Sequence, residues 1–145
     1  IFTAPNSDPD NRIIQSMINK YVSNNDNSIA FTNLGTLNYL STLKYVDCII
    51  GNSSSGLTEA PSFKIGTINI GDRQSGRLKA NSVIDCEPKK DKIITAINKI
   101  YSNKFKKRLK TVENPYGKGN ATEKILKRLR TVQPQELLKK EFNDI

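Results

Sequence analysis

At 145 residues the chain is the size of one domain, long enough to bury a core on both faces of a sheet. It has no histidine and only two cysteines, which argues against a zinc centre, and no apolar run approaches the roughly 20 residues of a membrane helix. The net charge of +9 is uneven: residues 1–88 carry 7 basic and 8 acidic side chains, residues 89–145 carry 16 and 6.

The basicity therefore belongs to the C-terminal helical segments. A nucleic-acid groove is one reading and a solvated helical face the other; no aromatic residues interleave with the basic ones in the RNA-binding manner, so no nucleic-acid partner is expected. Cys48 and Cys86 both fall in apolar runs and read as reduced core thiols of a cytoplasmic protein. The opening Ile1-Phe2-Thr3-Ala4 does not read as a signal peptide, and the chain is expected to be part of a longer protein.

In chain order, Ile1–Ala4 reads as the end of a strand and Pro5-Asn6-Ser7-Asp8-Pro9 as its exit loop. Ser7 or Asp8 can cap the next helix, with Pro9 at its first position. Ile13, Ile14, Met17, Ile18 and Tyr21 recur at helical spacing to about Ser23. Ser28–Thr32 is a strand. Thr36 can cap a helix whose apolar face is Leu37, Leu40, Leu43 and Val46. Asp47–Gly51 is the central strand, and the helix after it is short because Pro61 kinks or ends it.

Strands follow at Thr67–Ile70 and Ser82–Cys86. A helix begins at Asp91 with Ile93, Ile94, Ile97, Ile100 and Tyr101 on one face, and Lys104–Lys110 continues as a basic helical stretch. Residues 113–120 form a loop with two glycines and a proline. Ala121–Arg130 is a helix with Ile125, Leu126 and Leu129 inward, and Pro134–Phe142 is a last short helix. Strands alternating with helices at βαβ spacing predict an α/β fold with a doubly wound parallel sheet.

Residues 46–77, VDCIIGNSSSGLTEAPSFKIGTINIGDRQSGR, organise the rest. An apolar run stops at Gly51 and a hydroxyl-rich turn, Asn52-Ser53-Ser54-Ser55-Gly56, leads into a helix start. A second β run ends in Gly71-Asp72-Arg73-Gln74-Ser75-Gly76-Arg77. Ligands of open parallel sheets bind outside the carboxyl ends of the strands. Free N–H groups at the first turn make a phosphate seat, and Arg73 and Arg77 can add cationic forks. On spacing alone a plain βα turn capped by serine remains the equal alternative, since no GxGxxG or GxxxxGK[ST] pattern is present.

GNSSSGLTEAPSF, then TINIGDRQSGR, then NPYGKGNATEKI, resemble in order the C-terminal half of UDP-N-acetylglucosamine 2-epimerases, over roughly Pro5 to Leu129. The match is to the hydrolysing branch that feeds sialic and related nonulosonic acid synthesis. The resemblance implies a Rossmann-like C-terminal domain of a glycosyltransferase-B-type fold, which holds the UDP of a UDP-sugar; no cofactor and no metal are expected. It places the catalytic carboxylates in an N-terminal partner domain and a catalytic histidine near the junction. With no histidine here, no catalytic residue is expected in this chain. Family members tend to form homodimers, largely through the other domain.

By the same resemblance Ser53 and Ser54 meet the phosphates, and Glu59 accepts from the two ribose hydroxyls. Arg73 meets the sugar or a phosphate. Arg12 lies near the phosphates, and Leu34 and Gly35 offer backbone groups to the uracil. For Glu59 the competing role is a first-turn carboxylate serving the helix dipole. A glycosyltransferase with the same half-fold and a basic nucleic-acid module are the alternative functions.

Overall fold

The computed structural model describes residues 1–7 and 9–133; the expected helix at Pro134–Phe142 and the capping role of Asp8 lie outside the described residues. In chain order the described residues form β1 (Phe2–Thr3), α1 (Asn11–Ser23), β2 (Ala30–Phe31), α2 (Gly35–Thr42), β3 (Cys48–Gly51), α3 (Ser55–Thr58), β4 (Gly66–Ile70), β5 (Val83–Cys86), α4 (Lys90–Tyr101), α5 (Asn103–Lys110) and α6 (Ala121–Thr131); strands and helices alternate as far as β4, β5 follows β4 directly, and the last three helices come in succession. A single 3-10 turn, Ala60–Phe63, separates α3 from β4 and carries Pro61, whose ring ends the α-helical run as expected.

The α/β class and the parallel pairing are those read from the sequence. The strands form two hydrogen-bonded pieces, β1-β2 and β3-β4-β5, where one sheet was expected. In the larger piece Cys48 pairs with Gly66 at one end of β4, and Cys86 pairs with Ile70 at the other. Both of its faces are covered. Ile68 packs with Ala96, Ile100 and Phe105 from α4 and α5. Leu43, Ala60 and Ile65, with Tyr39, Leu40, Val46 and Ile49, form the second cluster. Such two-sided burial explains why β4 is buried along nearly its whole length.

Glycine is required at two close approaches. A Cβ on Gly56 would lie 2.5 Å from Thr67 Cγ2, and one on Gly66 2.9 Å from Ile100 Cδ1. These positions let α3 and α4 lie close to β4. The Thr67 hydroxyl donates to the Gly56 carbonyl at 2.8 Å, which fixes the same contact from the polar side.

Several local expectations are corrected. The cap of α1 is Asp10, in a left-handed conformation (φ 67°) and without a side-chain cap, so neither Ser7 nor Pro9 starts the helix. Leu34 is the N-cap of α2, which moves Thr36 into the first turn and leaves Leu37 80 % exposed. The helix expected from Asp91 starts at Lys90, and α5 is a separate helix whose cap, the Ser102 hydroxyl, accepts from the Phe105 N–H. Ile125, Leu126 and Leu129 of α6 are exposed, because neither core cluster extends to that helix. The helical period was present there; a partner surface is not supplied by the described residues.

Candidate functional site

The chain leaves β1 through α1 to β2, then returns through α2 to β3. Residues of β1 and β3 line a common cavity of about 670 Å³. It lies between the two sheet pieces and takes in residues past the carboxyl ends of β1 (Pro5, Asn6) and β3 (Asn52, Ser53), the ends where ligands of open α/β sheets sit. Apolar residues of α1, α2 and β3 line much of the cavity, while Asn6, Asn52, Ser53, Ser55, Tyr39 and Arg73 supply polar groups.

Three loops meet there. The first follows β1 and carries Asn6. The second follows β3 and carries Ser53. The third follows β4 and carries Arg73. With the Asn6 amide oxygen turned to the guanidinium, Arg73 donates to it from two nitrogens at 2.7 and 3.1 Å. The loop after β4 is tied to the loop after β3 by Gln74, whose Nε2 donates to the Asn52 carbonyl at 2.8 Å.

The β3–turn–α3 segment has the expected order, but α3 is a single turn. A dipole built from one turn is weak, so an anion here would rest chiefly on hydroxyls, local N–H groups and Arg73. Glu59 closes α3 at its C-terminal end rather than standing in its first turn. Its Oε2 accepts from the Ser55 hydroxyl, which is also hydrogen-bonded to the Tyr39 hydroxyl. Since the one Ser55 proton goes to the carboxylate, Tyr39 is the donor to Ser55. Burial pushes the Tyr39 hydroxyl above its ordinary 10.0, and the Glu59 charge adds to the rise. Tyr39 therefore keeps its proton at neutral pH.

Of the expected residues, Ser53, Arg73 and Leu34 line the cavity. Glu59 reaches its edge through Ser55, a lining residue. Ser54 is the N-cap of α3 next to Ser53, and Gly35 follows Leu34, with its N–H donating to the Asn33 side chain at 2.7 Å. Arg12 is placed apart, in a neighbouring groove on α1 that shares only Pro5 and Asn11 with the main cavity.

The loop at 113–120 serves these elements from a distance. Asn114 Nδ2 donates to the Thr58 carbonyl and the Ser62 hydroxyl, both at 2.7 Å, and so closes the C-terminal end of α3. The Tyr116 hydroxyl donates to the Leu78 carbonyl at 3.1 Å, just beyond the Arg73 loop. At the far side of that loop Lys79 donates to both carboxylate oxygens of Asp85 at 2.8 Å, and buried Asn69 donates to Asp85 Oδ1 at 2.6 Å. Tyr39, Gln74, Asn114 and Tyr116 were not singled out from the sequence. Only the Ser55–Glu59 pair carried a local signal, a hydroxyl and a carboxylate four residues apart.

Fold and site together define a Rossmann-like α/β domain with the polar loops after β1, β3 and β4 gathered at one cavity. The chain belongs to the UDP-N-acetylglucosamine 2-epimerase family, which it matches over residues 1–130. It is 42 % identical over 121 residues to the polysialic acid biosynthesis protein P7 of Escherichia coli, covering 83 % of this chain and 31 % of that protein. It is 41 % identical over 147 aligned positions to the GDP/UDP-N,N'-diacetylbacillosamine 2-epimerase (hydrolyzing) of Campylobacter jejuni, covering 100 % of this chain and 38 % of that one. A UDP-N-acetylglucosamine 2-epimerase of Neisseria meningitidis is 35 % identical over 98 residues, 68 % of this chain and 26 % of that protein. The chain thus spans about a third of the length of these relatives. Among the described residues no helix is long and apolar enough to cross a membrane.

Proposed function

We propose that this chain is the C-terminal, UDP-holding part of a hydrolysing UDP-sugar 2-epimerase that works in the cytoplasm. The complete enzyme eliminates UDP from a UDP-2-acetamido sugar and hydrates the resulting glycal at C1. From UDP-N-acetylglucosamine it gives N-acetylmannosamine and UDP. The hydrolysing type is supported by the relative of that description, 41 % identical across the whole chain. The observation that carries the reading is the meeting of Ser53, Ser55 and Arg73 at one cavity past the carboxyl ends of the strands.

In this reading Ser53 and Ser54 seat the phosphates by hydroxyl and N–H, and Arg73 adds a charge-assisted fork. Asn6 holds that guanidinium in place. Glu59 receives the ribose diol on the carboxylate oxygen that Ser55 does not occupy. The Leu34–Gly35 backbone lies where the base enters, and Arg12 stands beside the phosphates in the groove that adjoins the main cavity at Pro5 and Asn11.

Elimination and hydration need proton-transfer groups at the sugar. This chain offers no histidine for that work. The catalytic groups belong to the partner domain of the same protein, through which the complete enzyme also forms homodimers. The chain alone binds UDP without turnover.

Titration with UDP and with single-stranded DNA, at two salt concentrations, tests the reading. UDP should bind with a shallow salt dependence. Preference for DNA with a steep salt slope would replace the reading by a nucleic-acid module built on the basic α5 and α6. Incubation with UDP-N-acetylglucosamine should release no UDP; release by the pure chain would overturn the division of the site between two domains.

A further inference from the structure

Gln74 is 3 % exposed, in a loop whose neighbours Asp72, Arg73, Ser75 and Gly76 are all exposed. Its Nε2 donates to the Asn52 carbonyl at 2.8 Å, while its Oε1 is buried with no hydrogen-bond partner among the described residues. Burying an acceptor without a partner is unfavourable to folding, and an apolar side chain of the same shape would avoid that cost. Asn52 is itself exposed, so its carbonyl can turn to water if the amide is removed. Fold stability therefore gives little reason for an amide here. The bond it makes does have a consequence for the site. It joins the residue next to Ser53 to the residue next to Arg73, across 22 positions of sequence.

We infer that Gln74 is a positioning residue, which holds the Asn52–Ser53 turn and the Arg73 guanidinium at a fixed separation so that one diphosphate can be gripped from both sides. The inference rests on the proposed UDP-binding reading. Without the link each loop keeps its own hydroxyl or guanidinium, but the two no longer arrive together. The effect falls on the phosphates and spares the nucleoside, because the tie acts on the neighbours of Ser53 and Arg73, whereas Glu59 is held in direction by its own bond from Ser55 on α3. Preorganised donors are effective because their ordering cost is already met before the ligand arrives.

The test is titration of the chain and its Gln74→Met variant with UDP and with uridine, alongside thermal unfolding. Met keeps the length and removes both the donor and the buried acceptor. The expected result is a roughly tenfold loss of UDP affinity, unchanged uridine affinity, and an unfolding midpoint equal to or above that of the parent chain. Gln74→Leu likewise removes the donor and the buried acceptor without adding a charge; it should show the same loss for UDP alone and so serves if the Met variant does not fold. An unchanged ratio of UDP to uridine affinity in either folded variant overturns the positioning role while leaving the UDP reading intact. Equal losses for both ligands, with a lowered midpoint, also overturn it and mark Gln74 as structural. If the parent chain binds UDP no better than uridine, the UDP reading and this inference fall together.

Discussion

The Ser55 hydroxyl donates to the Oε2 of Glu59, one helical turn further along the chain. Tyr39 reaches the same hydroxyl from α2 and completes a relay of phenol, serine and carboxylate. One carboxylate oxygen is therefore engaged before any ligand arrives, and the carboxylate is fixed in direction.

The relay predicts unequal costs for removing its members. Ser55→Ala strands the half-buried Tyr39 hydroxyl and should lower stability by about 1–3 kcal/mol. Tyr39→Phe removes the outer donor together with its need for a partner and should cost about 1 kcal/mol or less. Denaturant unfolding of the two single variants and the double measures the coupling. The double variant should be more stable than the sum of the single losses implies. Strict additivity would show that the hydroxyls do not act as a pair.

How much of this was legible in the sequence follows from the range of each interaction. The central strand, its hydroxyl-rich turn and the stop at Pro61 lie within 15 consecutive residues, where apolar patterning and proline sterics speak directly. Ser53 and Arg73 could be placed because both follow β runs. Asn114 could not be assigned to the end of α3, because it reaches back 56 residues to Thr58 and such a contact leaves no periodicity. Gln74 was hidden for the opposite reason: a glutamine amid polar loop residues reads as solvated, and only tertiary structure buries it. The apolar face of α1 was legible from its spacing, but spacing does not say what covers a face, and Ile13, Ile14 and Met17 remain exposed.

Gly56 marks where α3 rests on β4. Gly56→Ala would push a methyl to 2.5 Å from Thr67 Cγ2 and should lower stability by about 1–3 kcal/mol. Thr67→Ser in the same chain removes that methyl while keeping the hydroxyl bond to the Gly56 carbonyl. The double variant should recover part of the loss in thermal unfolding. No recovery would locate the strain elsewhere in the backbone.

Cys48 and Cys86 sit on β3 and β5, the two strands that flank β4, and pair with opposite ends of it. Two strand spacings alone come to about 9.6 Å, too far for a disulfide. The unreduced protein should therefore show the mass of two free thiols; a two-dalton deficit would contradict the topology. Burial pushes both thiols above their ordinary 9.0, with Asp47 adding to the rise at Cys48 and Asp85 at Cys86. Alkylation near neutral pH should accordingly run slower than for an exposed model thiol.

Asp85 gives a pH dependence with a definite sign. Burial raises its pKa, but hydrogen bonds from Lys79 and Asn69, with the Lys79 charge, outweigh it and hold the carboxyl below the ordinary 3.8. A lowered folded value means the ionised form favours the fold. The contribution is complete above the unfolded value and is lost as pH falls through the folded one. The Lys79–Asp85 side chains are 27 % and 54 % exposed, so solvent limits the effect to about 0.2–1 kcal/mol. Asp85→Asn should lower stability by that amount at pH 7 and by less at pH 3. An equal loss at both values would assign the effect to packing.

Glu59 decides the proposed ribose contact. If its free oxygen receives the diol, Glu59→Gln should weaken UDP binding while the domain stays folded. The amide oxygen can still accept from Ser55, which turns the NH₂ group toward the ligand and replaces a charge-assisted bond by a neutral one. The expected cost is roughly 1.5–3 kcal/mol, about ten- to a hundredfold in affinity. 2′,3′-Dideoxy-UDP lacks the diol and should be affected far less. A carboxylate that acts only through the Ser55–Tyr39 relay would give another pattern, because the site would loosen for either nucleotide. Its position at the C-terminal end of α3 also means that removing its charge cannot weaken a favourable dipole interaction. An equal loss for UDP and its dideoxy analogue would therefore take Glu59 out of contact with the ribose and leave it as a support for the β3–α3 turn.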